Sequence, residues 1–394
     1  MQKIPYGRQS ITDEDIEAVS NVLRSDFLTQ GPVIGEFENK FSQYVGSKNS
    51  VAVVNGTAAL HLGVLALGLK EGQKVITTPI TFAASANCVK YLDGEVDLVD
   101  IDPRTYLIDL NQIEDRLKSG DYAGIIPVDF AGLALNMEEL RTLADRYGCW
   151  ILEDACHAPG GFFVNSDGDK VRCGSGRYED AAIFSFHPVK HIATGEGGMI
   201  TTSDTTRANR LQKLRTHGIH KDPSRFTNSP RLAAGSAEYS ESDYPKWYYE
   251  MDELGYNYRM TDIQCALGSS QLERAEIGLA KRREIANFYD RAFENHPHIE
   301  TQTLTENEKS GHAYHLYVIR TENRLRLYNH LHEHGILGQI HYVPIHYLPF
   351  HSRKSFNLPQ AEAYYSQCLS LPMFPTLTSE ELDYIVGVID KYQS

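Results

Sequence analysis

Residues 181–202 read AAIFSFHPVKHIATGEGGMITT, and this stretch decides the fold that the sequence predicts. Two runs rich in β-forming residues, AAIFSF and GMITT, flank a turn that holds Lys190 between two histidines and ahead of three glycines in four positions. Apolar runs bounded by Pro and Gly are typical of strands. We therefore expect a lysine on a constrained turn between two strands of one sheet.

The same pattern extends over most of the first 200 residues. From about residue 50, short β-rich runs alternate with helical segments, which is typical of a parallel or mixed sheet covered by helices. Helices are predicted at residues 57–69 and 137–147, the second with Asn136 as its N-cap. The sequence predicts an α/β domain with a mixed, mostly parallel seven-stranded sheet and helices on both faces. Its predicted strands are SVAVVN, KVITTP, EVDLVDI, GIIPVDF, CWILEDA, AAIFSF and GMITT.

The rest of the chain predicts a long loop and a second domain. Residues 218–250 lose periodicity and gather Ser, Pro, Tyr and charged residues, and loops of that length tend to be functional or disordered. Helical patterning resumes over 261–294 and is followed by a β-like run, a helix near 323–334 and a final amphipathic stretch. We expect a large domain over 1–260, with an N-terminal arm over 1–25, and a smaller α+β domain over 261–394.

Composition limits the classes of function. The 394 residues include 52 acidic and 38 basic side chains, so the net charge of -14 argues against a nucleic-acid or anionic-membrane surface. No apolar run reaches the roughly 18 residues that span a bilayer, and the N-terminus lacks the order of a signal peptide, so a cytoplasmic protein is expected. The six cysteines form no CxxC pair, and we expect them to be reduced.

Lys190 is the candidate nucleophile, and Asp154 is its candidate partner. A lysine that attacks a carbonyl must be able to lose its proton, and such lysines are usually found on constrained turns. Asp154 ends the apolar run WILED, at the edge of the sheet where open α/β folds bind ligands. Taken alone, Lys190 could also be an ordinary surface lysine, and Asp154 could be a strand-end acid that caps a helix. Together they fit pyridoxal phosphate chemistry, which needs a carboxylate against the pyridinium nitrogen.

Several further segments could hold an anion or a flat ring. The amides of Gly56, Thr57 and Ala58 open a helix directly after a strand, a joint suited to a phosphate, and Ser185 could add a hydroxyl. Phe82 could stack on a heterocycle or could belong to the core. Asn257 and Arg259 precede another helix, capped at Thr261 or Asp262. No GxGxxG fingerprint stands in a strand-to-helix context and no P-loop occurs, which disfavours a dinucleotide enzyme.

The histidines do not predict a metal site. His187, His191, His341 and His346 are not part of an HExxH motif, so structural or substrate-facing roles are expected and no metal is.

Taken together, these segments resemble the DegT/DnrJ/EryC1/StrS family of nucleotide-sugar aminotransferases, which are pyridoxal 5'-phosphate enzymes of fold type I. The resemblance runs over almost the whole chain, and the lysine segment is its most specific part. The matching segments are LTQGP at 28–32, NGTAAL at 55–60, TPITF at 78–82, EDACHA at 153–158, SFHPVKHIATGEGG at 185–198, GYNYRMTDIQCALG at 255–268 and HYVPIH at 341–346.

The resemblance implies a role for each candidate residue. It assigns Lys190 to the covalent attachment of the cofactor and to proton transfer, Asp154 to the ring nitrogen, His157 to the ring hydroxyl and Phe82 to stacking. The phosphate would be bound by Gly56, Thr57, Ala58, Ser185 and Asn257, with Asn257 supplied by the partner subunit of a homodimer with shared active sites. The nucleotide-sugar side would be formed by Tyr6, Leu28, Thr29, Arg259, His315, Tyr317 and His341.

Within the family, the segments YGRQSIT, DFLTQGP and GILGQIHYVPIHYLPFH look like the branch that acts in pseudaminic acid biosynthesis. That branch moves the amino group of L-glutamate to C4 of UDP-4-keto-6-deoxy-L-AltNAc. Two alternatives stay open at this point. One is a sibling aminotransferase for another UDP- or dTDP-linked 4-keto or 3-keto sugar, and the other is a non-catalytic relative of the same fold.

Overall fold

The computed structural model describes residues 3–237, 239, 243–352 and 355–392, so residues 238 and 240–242 of the predicted loop lie outside the described residues, as do 1–2, 353–354 and 393–394 of the predicted domains. The strands are β1 Ile4–Pro5, β2 Asn49–Val53, β3 Lys74–Thr77, β4 Glu95–Leu98, β5 Gly124–Ile126, β6 Trp150–Asp154, β7 Phe162–Val164, β8 Lys170–Arg172, β9 Ala181–Ser185, β10 Gly198–Thr202, β11 Ile219–His220, β12 Glu250–Met251, β13 Glu300–Thr301, β14 Tyr317–Arg320, β15 Ile336–Leu337 and β16 Cys368–Leu371. The helices are α1 Asp13–Leu23, α2 Pro32–Val45, α3 Gly56–Ala66, α4 Ala84–Lys90, α5 Leu110–Lys118, α6 Met137–Tyr147, α7 Thr205–Leu214, α8 Pro230–Ala234, α9 Asp262–Glu273, α10 Ala275–Phe293, α11 Glu306–Gly311, α12 Arg324–Glu333, α13 Pro359–Gln367 and α14 Ser379–Asp390.

A seven-stranded sheet forms the centre of the molecule, in the order β2-β10-β9-β6-β5-β3-β4. Strands β9, β6, β5, β3 and β4 pair in parallel, whereas β10 runs antiparallel to both of its neighbours. These seven strands are the seven predicted runs, so the predicted mixed, mostly parallel sheet is confirmed. The turn between the antiparallel strands β9 and β10 carries Lys190.

Helices cover both faces of this sheet. Side chains alternate along each strand, and in β9 Ile183 points to one core while Ala182 and Phe184 point to the other. Leu60 and Leu62 of α3 pack in the first core, and Phe37 and Phe41 of α2 pack in the second. The predicted helices on both faces are therefore confirmed.

Helix ends follow local capping chemistry. Helix α6 has the predicted bounds, and the Asn136 side chain accepts a hydrogen bond from the Glu139 N–H. Helix α3 ends three residues before the predicted position because Gly68 adopts a left-handed conformation with φ of 84°. The predicted helical stretch over 261–294 divides into α9 and α10 at Arg274, whose backbone leaves the helical region.

A second, smaller core lies in the C-terminal part of the chain. Strands β13, β14 and β16 form an antiparallel three-stranded sheet, and side chains of α10, α12 and α14 pack with it. The N-terminal arm also reaches this core, since β1 pairs in parallel with β15 and Ile4 is buried there.

Helix α9 connects the C-terminal part to the N-terminal helices. Asp15 of α1 accepts hydrogen bonds from Gln271 and Arg274, and Asp262 accepts from the Gly31 and Val33 amides at the start of α2. The packing of α9 therefore follows the first helices rather than the three-stranded sheet. The domain division at residue 260 stays a prediction.

The segment 218–250 differs from the predicted irregular loop. It contains α8 and a short turn at Pro223–Arg225, and β11 pairs with β12 to close its base. This order comes from Glu250, whose carboxylate accepts hydrogen bonds from both the N–H and the hydroxyl of Thr227 and from the Asn228 N–H. Side-chain contacts of this kind are not visible in periodicity.

All six cysteines are free, five of them buried and Cys156 half-buried, as expected for reduced thiols. Among the helices the structure describes, each is too short or too polar to cross a bilayer.

Candidate active site

A cavity of about 430 Å³ lies at the carboxyl ends of the parallel strands. Strand β6 delivers Asp154 to it, β9 delivers Ser185, and the N-terminus of α3 follows β2 there. Open α/β sheets bind ligands at this edge because loops diverge where strands end. The predicted site residues that line this cavity are Tyr6, Gly56, Thr57, Phe82, Asp154, His157, Ser185, Lys190, His315 and His341.

Lys190 lies on a tight turn between β9 and β10. The Lys190 N–H donates to the His187 carbonyl at 2.8 Å, and the Thr194 N–H donates to the Phe186 carbonyl at 2.9 Å. The amine Nζ lies 3.4 Å from His315 Nε2. Burial lowers the pKa of Lys190, and the Asp154 carboxylate opposes this shift. An amine with a lowered pKa loses its proton more readily and is a better nucleophile.

Asp154 is buried, and each of its carboxylate oxygens has a donor. Oδ2 accepts the Ser85 hydroxyl at 2.7 Å, and Oδ1 accepts the Cys156 N–H at 3.2 Å. The Ser85 hydroxyl is in turn 2.8 Å from that of Thr81. The carboxylate is thus held in one orientation at the wall of the cavity.

Four buried or half-buried imidazoles surround Lys190. Burial lowers the pKa of His157, His191, His315 and His341 below the ordinary histidine value, and the positive charge of Lys190 lowers each further. These rings are therefore neutral near pH 7. His315 Nδ1 is buried without a hydrogen-bond partner within the part of the chain that the structure describes.

The N-terminus of α3 forms one end of the cavity. Gly56 is buried, and a Cβ there would lie 3.0 Å from the Ser185 Cβ, so a side chain would close the gap between helix and strand. First-turn amides of a helix have no intrahelical acceptor and suit an anion. The Ala58 N–H is the exception, because it donates to the Asn55 side chain at 2.8 Å. Ala58 is also absent from the cavity lining, and its phosphate contact stays a prediction.

Phe82 lies in the cavity wall with 62% of its surface exposed, which contradicts the alternative of a core phenylalanine. Its ring centroid is 6.2 Å from that of Tyr342. An exposed aromatic face beside a carboxylate can stack on a flat heterocycle.

Five other predicted residues do not line this cavity. Tyr317 is buried in the C-terminal core, where its hydroxyl donates to Asp290 at 2.7 Å, and its substrate contact stays a prediction. Leu28, Thr29 and Asn257 are exposed, and Arg259 is half-buried. For these four, the chain's own cavity offers no contact, and a role in a partner's site stays a prediction.

Sequence reasoning missed several residues of the lining. Ser85 stands in the first turn of α4, directly after the TPITF segment, and Tyr342 stands inside HYVPIH. The TPITF segment was selected for Phe82 and the HYVPIH segment for His341. Proximity to these two candidates in the sequence was the signal that could have identified Ser85 and Tyr342. The contacts themselves depend on tertiary structure, since Ser85 and Asp154 are 69 residues apart.

A buried acidic cluster lies outside the cavity lining. The ligand atoms of Asp129, Glu153 and Cys173 lie within 4.8 Å of one another. Burial raises the pKa of Glu153, and the neighbouring Asp129 carboxylate raises it further. A pair of carboxyl groups that keeps a proton is a poor cation ligand. The expectation that this chain needs no metal stays a prediction.

The residues of the cavity fit pyridoxal 5'-phosphate. The volume is within the range of small-molecule sites. Lys190, with its lowered pKa, can react with the aldehyde of the cofactor. The oriented carboxylate of Asp154 can pair with the pyridine nitrogen, and the exposed face of Phe82 can stack on the ring. The gap that a Cβ at Gly56 would fill, next to Ser185 and the first amides of α3, provides for a phosphate.

Comparisons with known proteins agree with this geometry. The model of the DegT/DnrJ/EryC1/StrS aminotransferase family matches residues 9–390. The uncharacterized protein MJ1066 of Methanocaldococcus jannaschii is 37% identical, covering 99% of this chain and 98% of its own length. A UDP-4-amino-4,6-dideoxy-N-acetyl-beta-L-altrosamine transaminase of Campylobacter jejuni is 34% identical over 97% of this chain and 95% of its own length.

A solved structure shows the same fold. Helicobacter pylori PseC, an aminotransferase involved in the biosynthesis of pseudoaminic acid, superimposes with a TM-score of 0.85 at 28% identity and covers 98% of both chains. The chain therefore belongs to the DegT/DnrJ/EryC1/StrS aminotransferase family, and it is a pyridoxal phosphate-dependent nucleotide-sugar aminotransferase.

Proposed function

We propose that this chain transfers the amino group of L-glutamate to C4 of UDP-4-keto-6-deoxy-L-AltNAc, a step of pseudaminic acid biosynthesis. The observation that carries the proposal is the single cavity that holds Lys190, Asp154 and the N-terminus of α3. The choice of sugar is supported by the Campylobacter jejuni transaminase and the Helicobacter pylori structure, whose names specify related sugars.

When bound, the cofactor supplies an electron sink that stabilises negative charge on a carbon atom next to the transferred amino group. Lys190 Nζ takes a proton from the α-carbon of glutamate in the first half-reaction. In the second half-reaction, Lys190 Nζ delivers a proton to C4 of the sugar, the carbon that has received the amino group. The lowered pKa of Lys190 suits both directions, since the amine must accept and release the proton near neutral pH.

The other residues bind and orient. Asp154, held by Ser85 and the Cys156 amide, keeps a proton on the ring nitrogen and so maintains the electron sink. Phe82 would stack on the ring, and the amides of Gly56 and Thr57 would bind the phosphate together with the Ser185 hydroxyl, since all four residues line the cavity.

The sugar enters beside neutral histidines. His315 and His341 line the cavity with lowered pKa values, and Tyr6 lies near them, with its ring centroid 5.1 Å from that of His341. Neutral imidazoles can donate to or accept from sugar hydroxyls without adding charge.

A homodimer with shared active sites completes the proposal. Asn257 is exposed and outside its own cavity, which suits a residue that binds phosphate in a partner's site. The segment just before it exposes Trp247, Tyr249, Met251 and Leu254, each more than half exposed. Apolar side chains exposed in this density favour an interface with a second copy.

The test uses the purified protein and a panel of UDP- and dTDP-linked 4-keto and 3-keto sugars. Glutamate should bleach the visible absorbance of the cofactor, and UDP-4-keto-6-deoxy-L-AltNAc should restore it. If only another keto sugar restores the absorbance, the chain is instead an aminotransferase for that sugar. If glutamate does not bleach the absorbance, L-glutamate is not the amino donor.

Replacing Lys190 tests the catalytic assignment. Lys190→Ala should reduce kcat by at least about 10²- to 10⁴-fold, the range of acid–base contributions, because Nζ carries the proton in both half-reactions. Circular dichroism should show an unchanged fold. Lys70→Ala, at an exposed loop lysine, is the matched control and should retain full activity. Appreciable transamination by the Lys190 variant would contradict the assignment.

A further inference from the structure

The orientation of protons between His157 and Tyr342 follows from two contacts. His157 Nδ1 lies 3.3 Å from the backbone nitrogen of Ala131, and His157 Nε2 lies 3.2 Å from the Tyr342 hydroxyl. The two rings are nearly parallel, at an interplanar angle of 27°. A backbone N–H can only donate, so Nδ1 must present its lone pair to Ala131.

This contact fixes the tautomer of His157. The ring is neutral because burial and the positive charge of Lys190 lower its pKa well below the ordinary value. A neutral imidazole whose Nδ1 accepts must carry its proton on Nε2. His157 therefore donates from Nε2 to the Tyr342 oxygen, and the phenol hydrogen of Tyr342 is not used in this contact.

The phenol hydrogen is available to the cavity. Tyr342 lines the cavity together with Lys190 and Asp154, and within the described residues His157 Nε2 is the hydrogen-bond partner of its hydroxyl. Burial raises the pKa of Tyr342, with Tyr6 and Asp154 adding to the shift, so the group stays a phenol. A hydroxyl that accepts one hydrogen bond becomes a stronger donor of the next.

We propose that Tyr342 donates this hydrogen bond to the ring oxygen of the cofactor, with His157 behind it as the N–H donor that orients and polarises the phenol. This assignment rests on the proposed function and deepens it. The family resemblance has His157 contact the ring oxygen directly, whereas here Tyr342 makes that contact. Tyr342 is then a catalytic residue that touches the cofactor, and His157 is a positioning residue that acts through it.

The position of the turn before α6 supports this arrangement. Ala131 has a left-handed φ of 59° within the Phe130–Gly132 turn, which directs its N–H at His157. Gly132 follows with φ of 103°, and a Cβ there would lie 2.8 Å from the His157 carbonyl oxygen. The backbone of this turn therefore packs tightly against the His157 backbone, and the Ala131 N–H holds the Nδ1 side of the imidazole.

The visible absorbance of the holoenzyme reports the contact. A donor to the ring oxygen stabilises negative charge there, and this charge is greatest once the nitrogen joining Lys190 to the cofactor has lost its proton. The donor therefore lowers the pH midpoint of the absorbance change. The titratable groups that face this pair are Lys190, Asp154, Cys156, His191, His315, His341, Tyr6 and Tyr364.

Tyr342→Phe should raise that midpoint by about one unit or more, the effect of one hydrogen bond to a charged oxygen. Tyr347→Phe is the matched control, because it removes an exposed phenol that lies outside the cavity lining and should leave the midpoint unchanged. His157→Leu should raise the midpoint less than Tyr342→Phe does. An unchanged midpoint in Tyr342→Phe, or a larger rise in His157→Leu, would overturn the proposal.

A measurement on the unaltered chain tests the tautomer even if a variant fails to fold. Protein with ¹⁵N-labelled histidine should show His157 protonated at Nε2 alone, with His157→Gln assigning the signal. Protonation at Nδ1 would refute the proposed hydrogen-bond chain. Bleaching by glutamate is recorded on the same samples, so a failure of the proposed function is distinguished from a failure of the Tyr342 contact.

Discussion

At the scale of single residues, the chemistry depends on how a few buried polar groups are held. Asp154 keeps its orientation through Ser85, and Ser85 through Thr81, so hydroxyl groups just before α4 and in its first turn support a carboxylate on β6. A buried carboxylate that loses a donor keeps the cost of desolvation without the compensating hydrogen bond. The support is therefore as important to the site as the carboxylate itself.

Ser85→Ala tests this support. The variant should bind pyridoxal 5'-phosphate about tenfold more weakly, since a hydrogen bond to a charged group contributes about 1.5–3 kcal/mol and solvent can replace part of it. Titration of the apoenzyme with cofactor, followed by absorbance, gives the Kd. Ser366→Ala removes a surface hydrogen bond on α13 and serves as the control. Equal affinities in the two variants would argue that Ser85 does not orient Asp154.

His312 gives the protein a defined sensitivity to acid. It is buried, its Nδ1 accepts the Tyr314 N–H at 2.8 Å, and its ring stacks on Tyr314 with centroids 3.9 Å apart. Burial, followed by the charge of Arg283, lowers its pKa to about 3. The unfolded state binds this proton near pH 6.5, so stability is fully present above that pH and is lost as the pH falls toward 3.

His312→Asn should therefore reduce the loss of stability between pH 7.5 and pH 5 by about 2 kcal/mol, since each pH unit below 6.5 contributes about 1.4 kcal/mol. The Asn side-chain oxygen can still accept the Tyr314 N–H. Urea unfolding at the two pH values measures the difference. His334→Asn, at an exposed histidine, should behave like the unaltered chain. Identical pH dependence in all three proteins would show that His312 does not bind its proton on unfolding.

At the scale of elements, one carboxylate organises a segment that has no periodic pattern. The aromatic rings of Phe226, Tyr244 and Tyr248 pack together above Glu250, and the Tyr248 hydroxyl donates to it at 3.0 Å. Although desolvation by itself raises the pKa of Glu250, the N–H groups of Asn228 and Thr227 lower it to about 2. The charged form of Glu250 is therefore the one that holds the loop.

Glu250→Ala should make this segment several-fold more sensitive to trypsin, because its removal frees four donors at the base of the loop. Cleavage is expected at Lys221, Arg225, Arg231 or Lys246, which mass spectrometry of the early fragments identifies. Asp243→Ala, in the same loop, is the control. Equal cleavage rates would mean that the aromatic packing alone orders the segment.

At the scale of the whole molecule, the cavity of one chain does not contain all of the expected phosphate ligands. Asn257 follows the exposed apolar segment at 247–254 and stands outside its own cavity. A symmetric dimer brings each such residue to the other subunit's site, because a two-fold axis repeats every contact. The proposed site is then complete only in the assembly.

Subunit complementation tests this arrangement. Lys190→Ala and Asn257→Ala should each have low activity alone. After mixing and exchange of subunits, activity should rise to about one quarter of the wild-type value, since half of the dimers are mixed and each has one intact site. A mixture no more active than the mean of its components would mean that each chain supplies its own Asn257. Size-exclusion chromatography with light scattering confirms that the exchange produces dimers.

The candidate site was predictable to the extent that it is encoded in short segments. Asp154 and Ser185 end strands, Lys190 and Phe82 follow strands, and the carboxyl ends of parallel strands meet at one edge of the sheet. The roles of Ala58 and Tyr317 stay predictions, and contacts within the chain compete with both. The Ala58 amide is taken by a side-chain cap, and Tyr317 is paired with Asp290, 27 positions earlier in the chain.

The sequence by itself determined the sheet, the helices on its faces, the lysine turn and the family, because alternating apolar runs and turn residues act over a few positions at a time. Only the tertiary structure decided how Ser85 holds Asp154, how Glu250 orders its loop and how His157 meets Tyr342. These contacts join residues that are 22 to 185 positions apart. Their geometry depends on how whole elements pack, which no local pattern records.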